Sequence, residues 1–227
     1  MHISFILVEP AVPENVGAVA RAMKTMGFYD LILVNPCDHL SGPARWLAHG
    51  SVEVLENARV FSSLEEALTG FDFIIGTTAK RRSVKNDYHH LTELNELLRS
   101  KGNTVERAAL VFGREESGLR NNELKMCDLV STVPMKTTFP SLNLSQAVML
   151  YAWELSKKSN LADRDNKCHQ EESLRELNLK VKTVLLNAGF REDSVIFSRF
   201  FERINALGED DIHLLHSFCN KLLNFKK

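Results

Sequence analysis

The chain has 227 residues, 44% apolar and 25% charged, the proportions of an ordinary soluble globular protein with room for one large domain or a medium one with an appendage. A formal net charge of −1 excludes whole-molecule attraction to nucleic acid, so any RNA or DNA contact must come from a local patch. The four cysteines, Cys37, Cys127, Cys168 and Cys219, stand far apart and form no CxxC, which argues against zinc or any other metal site and for reduced thiols in a cytoplasmic protein.

Residues 3–8 (ISFILV) form a continuous apolar run rich in branched side chains, as expected of a strand buried on both faces. The run is too short for a signal peptide or a membrane span, so no membrane partner is expected. From Glu14 the period turns helical, with Val16, Val19, Ala20 and Met23 on one face and Gly27 closing the helix. Residues 31–34 (LILV) make a second strand. Residues 44–48 and 52–55 read as short helical pieces, 60–61 as a short strand and 64–68 as a helical turn or two. Residues 71–75 form a third long strand, followed at once by a Gly76-Thr77-Thr78-Ala79 loop. Residues 91–98 are an amphipathic helix, 108–112 (AALVF) a strand, 119–126 helical and 129–133 a strand. Residues 139–150 then run from a polar loop into an apolar helix, which either Ser141 or Asn143 could cap. Strands alternating with helices, each strand apolar almost throughout, predict an α/β fold with a parallel sheet.

After Trp153 the composition shifts. A domain over 1–158 is followed by a polar linker at 159–170 and a helical extension over 171–227, in which three helical patterns and no strand run appear. The apolar faces of that extension must pack on each other, on the main domain or on a second subunit.

In open α/β sheets, ligands bind at the carboxyl ends of strands. Polar and glycine-containing segments fall there at 9–17, 76–79, 113–118 and 141–143. Neither nucleotide fingerprint is present: no GxGxxG follows the first strand, and the Gly113 to Gly118 spacing lacks the Lys and Ser/Thr of a P-loop. Lys80, Arg81, Arg82 and Lys85 put four cations in six residues beside the 76–79 loop. That cluster reads either as a solvated face or as a phosphate contact, and its place at a strand end favours the second. Arg21 and Lys24 share a face of the first helix at i, i+3 and extend the patch. No GxSxG, no HExxH and no nucleophile–base pair appears. Glu115 and Glu116 could do acid–base work or cap the following helix. The histidines mostly occupy polar or C-terminal helical contexts expected at the surface.

Three segments together carry a resemblance: residues 15–23 (NVGAVARAM), 110–119 (LVFGREESGL) and 141–148 (SLNLSQAV). In this order they are similar to the three motifs of the SPOUT RNA methyltransferases, in the TrmH-like branch that methylates ribose 2′-hydroxyls. Residues 21–27, the 76–79 loop and the helical tail resemble the TrmJ-type and LasT-type members. The resemblance implies the SPOUT fold, in which the C-terminal part of the parallel-sheet domain threads through a loop as a deep trefoil knot, against the usual rule that chains are unknotted. It implies that the loops at the knot bind S-adenosylmethionine as co-substrate. Thr77, Thr78, Ala79, Gly113, Val133, Ser141 and Leu142 are expected to line that site, with Asn143 nearby.

It also implies a homodimer in which Arg21 of one subunit completes the site of the other. The transfer would be in line, from sulfonium to ribose oxygen, with no metal and no covalent intermediate. Because a guanidinium stays charged across the physiological range, Arg21 is expected to hold a phosphate and stabilise charge on the ribose oxygen rather than act as base. Asn15 would orient Arg21 or the ribose, Glu115 would hold the second-motif loop, and Ser141 and Asn143 would position the hydroxyl. Lys24, Lys80, Arg81, Arg82 and Lys85 are the expected RNA-binding cations. The expected substrate is tRNA, then rRNA. The alternative expectation is a non-catalytic RNA-binding protein that retains the knotted fold. An ordinary dinucleotide-binding enzyme is disfavoured by the missing glycine fingerprint.

Overall fold

The computed structural model describes residues 1–80, 82, 85, 87–137, 142–157 and 173–224. The expectations placed on Arg81, Ser141, Cys168 and the 159–170 linker therefore lie outside the described residues.

Among the described residues, seven strands form one sheet: β1 (His2–Val8), β2 (Leu31–Val34), β3 (Arg59–Phe61), β4 (Phe73–Thr77), β5 (His89–His90), β6 (Arg107–Phe112) and β7 (Leu129–Thr132). Their order is β3-β2-β1-β6-β4-β7-β5, and every neighbouring pair is parallel. The chain steps outward from β1 to β3, then crosses to β4 on the other side, and β6 fills the gap between β1 and β4. That reversal opens a crevice at the carboxyl ends of β1, β6 and β4, where open α/β sheets bind their ligands.

Strand alternation divides the apolar residues between two layers. Phe5, Leu7, Leu31, Leu33, Leu110 and Phe112 face one core, while Ile6, Val8, Ile32, Val34, Ala109 and Val111 face the other. The first core is covered by α1 (Pro13–Thr25), α2 (Gly42–Ala48), α3 (Val52–Glu56), α5 (Leu94–Ser100) and α7 (Leu144–Ser156). The second is covered by α4 (Leu64–Ala67) and α6 (Asn121–Met126). Helices on both faces explain why the strands read as unbroken apolar runs.

Two expectations shift. The third long strand starts two residues later than predicted and continues through Gly76 and Thr77, which pair with Val130 and Ser131. Phe71 stays in the preceding turn, under the Arg107 guanidinium at 4.9 Å. Gly76 sits in the ladder at a point where an added Cβ would meet the Cys127 sulfur at 2.7 Å, which suits the position to glycine. The edge strand β5 was not expected, since two histidines carry no apolar period. It forms by pairing with β7.

The three expected C-terminal helices are α8 (Leu174–Asn187), α9 (Val195–Ile204) and α10 (Glu209–Asn224). Their inward residues, among them Leu177, Val181, Phe197 and Ile212, join the first core. The polar anchor is Lys101, fully buried, whose ammonium donates to the carbonyls of Asn205 and Leu207 at 2.6 Å each, just past the end of α9. A cation at a helix C-terminus satisfies orphan carbonyls and opposes the helix dipole favourably. Asn205 in turn donates to the Asp128 carboxylate at 3.3 Å, and the other Asp128 oxygen accepts the Ile74 amide at 2.8 Å. His216 departs from the surface expectation: it is buried, within 3.0 Å of the Ser173 carbonyl. No described helix is long and apolar enough to cross a membrane.

Candidate active site

A pocket of about 480 Å³ opens in the crevice at the strand ends. Its walls come from the end of β4 (Thr77, Thr78, Ala79), the 113–120 loop after β6, Val133 after β7, and Leu142, Leu144 and Ala147 leading into α7. Six of the residues expected to hold the cofactor, Thr77, Thr78, Ala79, Gly113, Val133 and Leu142, thus meet in one cavity. Phe112 and Tyr151 also line it, their rings edge to face at 5.5 Å, and the Tyr151 hydroxyl lies 3.1 Å from the Ser131 hydroxyl. Burial pushes the Tyr151 phenol well above its ordinary range, so it stays neutral. The Thr77 hydroxyl donates to the Val111 carbonyl at 2.9 Å, and the Thr78 amide to the Ser131 carbonyl at 3.0 Å, which fixes the first wall on the sheet. Apolar walls with a few directed polar groups are what a small-molecule site requires.

The 113–118 loop is held tightly. A Cβ on Gly113 would lie 2.0 Å from the Gly118 carbonyl carbon, so only glycine permits the closure that brings Arg114 and Gly118 into a bridge. Arg114, which no sequence argument singled out, is the loop's anchor. Its guanidinium meets Glu9 at 2.7 and 2.6 Å, and Glu123 at 3.0 and 2.8 Å. The Arg114 hydrogen bond draws Glu9 below its ordinary carboxylate value against the opposing desolvation. For Glu123, desolvation pushes upward, and Arg114 together with the Arg120 amide more than offsets it. The only sequence signal for this clamp was the pair of carboxylates at the ends of β1 and α6.

Glu115 does not cap the following helix. Its carboxylate reaches back to accept the Ala11 and Val12 amides at 3.1 and 3.3 Å, and the Asn15 side-chain amide at 3.0 Å. Burial raises its proton affinity, but these three donors overcome that, and the group stays below its ordinary value and ionised. The start of α1 has no side-chain cap of its own, so Glu115 supplies the negative charge that its dipole favours. Asn15 passes the connection on: its side-chain oxygen accepts from the Asn143 side-chain amide at 2.8 Å. Asn143 caps α7 by accepting the Ser145 amide at 2.8 Å, with Gln146 bonding back to the Asn143 amide at 3.1 Å. Glu115, Asn15 and Asn143 therefore join the three motif segments. Only Glu115 of the three lines the pocket.

Arg21 is exposed on α1 and is not among the residues lining the pocket. Its side chain makes no hydrogen bond or ion pair with another described residue. The other expected cations separate. Lys80 is exposed at the pocket wall, and Arg82 lines it too while donating to the Ser117 carbonyl at 2.9 Å. Lys24 instead pairs with Glu53 and donates to the Gly50 carbonyl at 2.7 Å. Lys85 is turned inward onto the Cys127 carbonyl at 2.7 Å. Both are engaged within the chain because their flexible stems reach nearby acceptors, a placement that spacing alone does not disclose.

Residues 2–153 match the model of the SpoU rRNA Methylase family, and residues 171–225 match that of the C-terminal domain of the tRNA/rRNA methyltransferase LasT. The chain is 41% identical to the uncharacterized tRNA/rRNA methyltransferase LasT of Escherichia coli K12, over 98% of this chain and 97% of that protein. It is 37% identical to the tRNA (cytidine-2′-O-)-methyltransferase TrmJ of Methanocaldococcus jannaschii, over 69% of this chain and 68% of that one. Among solved structures, TrmJ from Z. mobilis ZM4 superposes with a TM-score of 0.67 at 28% identity, covering 98% of this chain and 99% of its own.

Proposed function

The chain belongs to the SpoU rRNA Methylase family, with the α/β SPOUT fold that carries a trefoil knot and added C-terminal helices, and from that premise we propose the reaction of this site. It transfers a methyl group from S-adenosylmethionine to a ribose 2′-hydroxyl of RNA, tRNA in the first place and rRNA in the second, the S–CH3 bond breaking to leave S-adenosylhomocysteine and the hydroxyl proton passing to water. The observation that carries the reading is the single pocket that gathers Thr77, Thr78, Ala79, Gly113, Val133 and Leu142 at the sheet's reversal. The fit to the co-substrate is chemical as well as spatial. Leu119, Val133, Leu142 and Leu144 supply apolar walls for a base, and the missing Cβ at the buried Gly113 lets the 113–118 loop close on itself at the pocket wall.

S-adenosylmethionine supplies the electrophilic methyl on its sulfonium. The protein's part is to hold the acceptor ribose in line with it, since correct alignment removes much of the entropic barrier. Arg21 is the catalytic contact to the acceptor: its fork of donors holds the adjacent phosphate and stabilises charge growing on the 2′-oxygen. Glu115, Asn15 and Asn143 set the relative positions of α1, α7 and the 113–118 loop. Lys80 and Arg82 offer positive charge to the RNA backbone at the pocket mouth.

The functional unit is a homodimer in which Arg21 of one subunit serves the pocket of the other. Support comes from the position of Arg21 away from its own pocket. It comes also from the apolar side chains beside α1, with Trp46 on α2 82% exposed and Trp153 on α7 49% exposed. The test is transfer of labelled methyl from S-adenosylmethionine to bulk tRNA. Arg21→Ala should lower kcat by about 100-fold, the loss typical of one transition-state donor, and leave co-substrate affinity unchanged in calorimetry. Absence of transfer by the wild-type chain to either RNA would reduce the protein to an RNA binder.

A further inference from the structure

The helical extension reaches the pocket through polar contacts joined by one step along the chain, from Asp87 to Tyr88. Asp87 receives Arg199 at 3.2 Å and Arg203 at 3.4 Å, both from α9. Arg199 is also paired at 2.7 Å with Glu202, which lies one turn further along α9, so its guanidinium is already oriented on its own helix. The helix is itself seated by the buried Lys101 on the carbonyls just past its end. Next to Asp87, the Tyr88 hydroxyl accepts the Arg82 amide and donates to the Arg82 carbonyl, at 2.7 Å each. Both backbone polar groups of Arg82 are thus pinned by one side chain. The Arg82 guanidinium spends one of its five donors on the Ser117 carbonyl at 2.9 Å, at the pocket wall.

We infer that Arg199, together with Arg203, is a positioning residue for Arg82: α9 holds Asp87, Asp87 sets Tyr88, and Tyr88 fixes the cation that the RNA backbone meets at the pocket mouth. The inference rests on the reading of the pocket as an RNA methyl-transfer site and gives the helical extension a part in substrate affinity. An exposed ion pair alone contributes little to stability. Its effect here is on geometry, since the pair holds the segment whose tyrosine bonds both the backbone N–H and the carbonyl of Arg82.

Two measurements on the full chain test it. Hydrogen exchange is compared between wild type, the Arg199→Ala/Arg203→Ala double variant and Tyr88→Phe, which keeps the ring and removes the hydroxyl. Faster exchange at residues 82–90 and 113–118 in both variants supports the linkage, and unchanged exchange overturns it. Steady-state transfer to tRNA should show KM raised about fivefold, a loss of binding of ordinary size. The kcat and the co-substrate Kd should stay within about twofold, as expected when only substrate binding is lost. The conservative Arg199→Lys/Arg203→Lys variant, which keeps both charges facing Asp87, should hold KM near wild type, and a KM raised as far as in the double alanine variant would overturn the inference. Faster exchange with unchanged KM overturns the inference. A wild-type chain that transfers no methyl group refutes the proposed function instead, and the exchange result then decides the positioning role by itself.

Discussion

At the scale of single residues, Gly113 has no room for a side chain. An added Cβ would collide with the Gly118 backbone at 2.0 Å, and backbone cannot yield as a flexible side chain would. Gly113→Ala should therefore weaken S-adenosylmethionine binding by at least about tenfold in calorimetry, with the sheet's circular dichroism retained. Glu9, at the end of β1, holds a left-handed backbone with φ of +47° and is tied there by Arg114. The clamp makes a pH prediction with a definite sign. Glu9, Glu115 and Glu123 all sit below their ordinary values, so their stabilisation is complete above the unfolded carboxylate range and lost as pH falls through the lowered folded values. Glu115→Gln should lower Tm at neutral pH, and its deficit relative to wild type should shrink between about pH 5 and pH 3 as the native carboxylate is protonated. Asn143→Ala, which removes a helix cap and the bond to Asn15, should cost about 1–2 kcal/mol in denaturant unfolding.

At the scale of elements, the seating of α9 on the sheet depends on charges taken out of water. Desolvation pushes Asp128 up to about 6, opposed by the Ile74 amide and then by the charges of Lys85 and Lys101, and it pushes Lys101 down to about 8, opposed by the charge of Asp128. A lysine held low is penalised where it must be charged. Between its folded and unfolded values the unfolded chain binds more protons, so stability from this group rises with pH. Wild type should therefore gain on Lys101→Met by up to about 1 kcal/mol per pH unit from about pH 8 to pH 10. Urea titrations at three pH values would show it, and a difference that stays flat or falls would refute the assignment. Asp128 works in the opposite sense, its contribution falling as pH rises from about 4 to about 6. The elements also explain why α1 and α2 must keep small contact residues. A Cβ on Gly17 would lie 2.0 Å from the Ala44 carbonyl, so the helix that carries Arg21 can approach α2 only with glycine there.

At the scale of the whole molecule, the proposed dimer gives a complementation test. At a co-substrate concentration well below the Kd of the Gly113→Ala variant, Arg21→Ala and Gly113→Ala should each be strongly impaired, the first in the acceptor contact and the second in the pocket. Mixed and re-equilibrated, half the dimers are heterodimers, each with one complete site, and activity should return to about a quarter of wild type. No recovery would show that Arg21 serves its own subunit. Trp46→Glu, at an exposed side chain beside α1, should shift the sedimentation coefficient toward the monomer and remove activity with it.

Much of this was legible in the amino-acid sequence. The apolar runs of β1, β2 and β6 announced strands covered on both faces, and the 3.6-residue period announced α1 and the helices of the extension. The second and third motif segments named part of the pocket wall, Gly113 and Leu142 among it, while Thr77, Thr78, Ala79 and Val133 came from the wider resemblance and none of residues 15–23 lines the pocket. Local rules suffice there because strand and helix periods are properties of neighbours in the chain. What only the tertiary structure decided is which polar group meets which across 100 residues or more: Glu115 capping α1, Asn15 meeting Asn143, Arg114 clamping Glu9. It also decided that Lys24 and Lys85 are engaged inside the chain while Arg82 stands at the pocket wall, although all three look alike as cations in the sequence. The period of an element is set by backbone geometry. The partner of a long polar side chain is set by whatever the packed fold brings within about 3 Å, and no spacing along the chain encodes that distance.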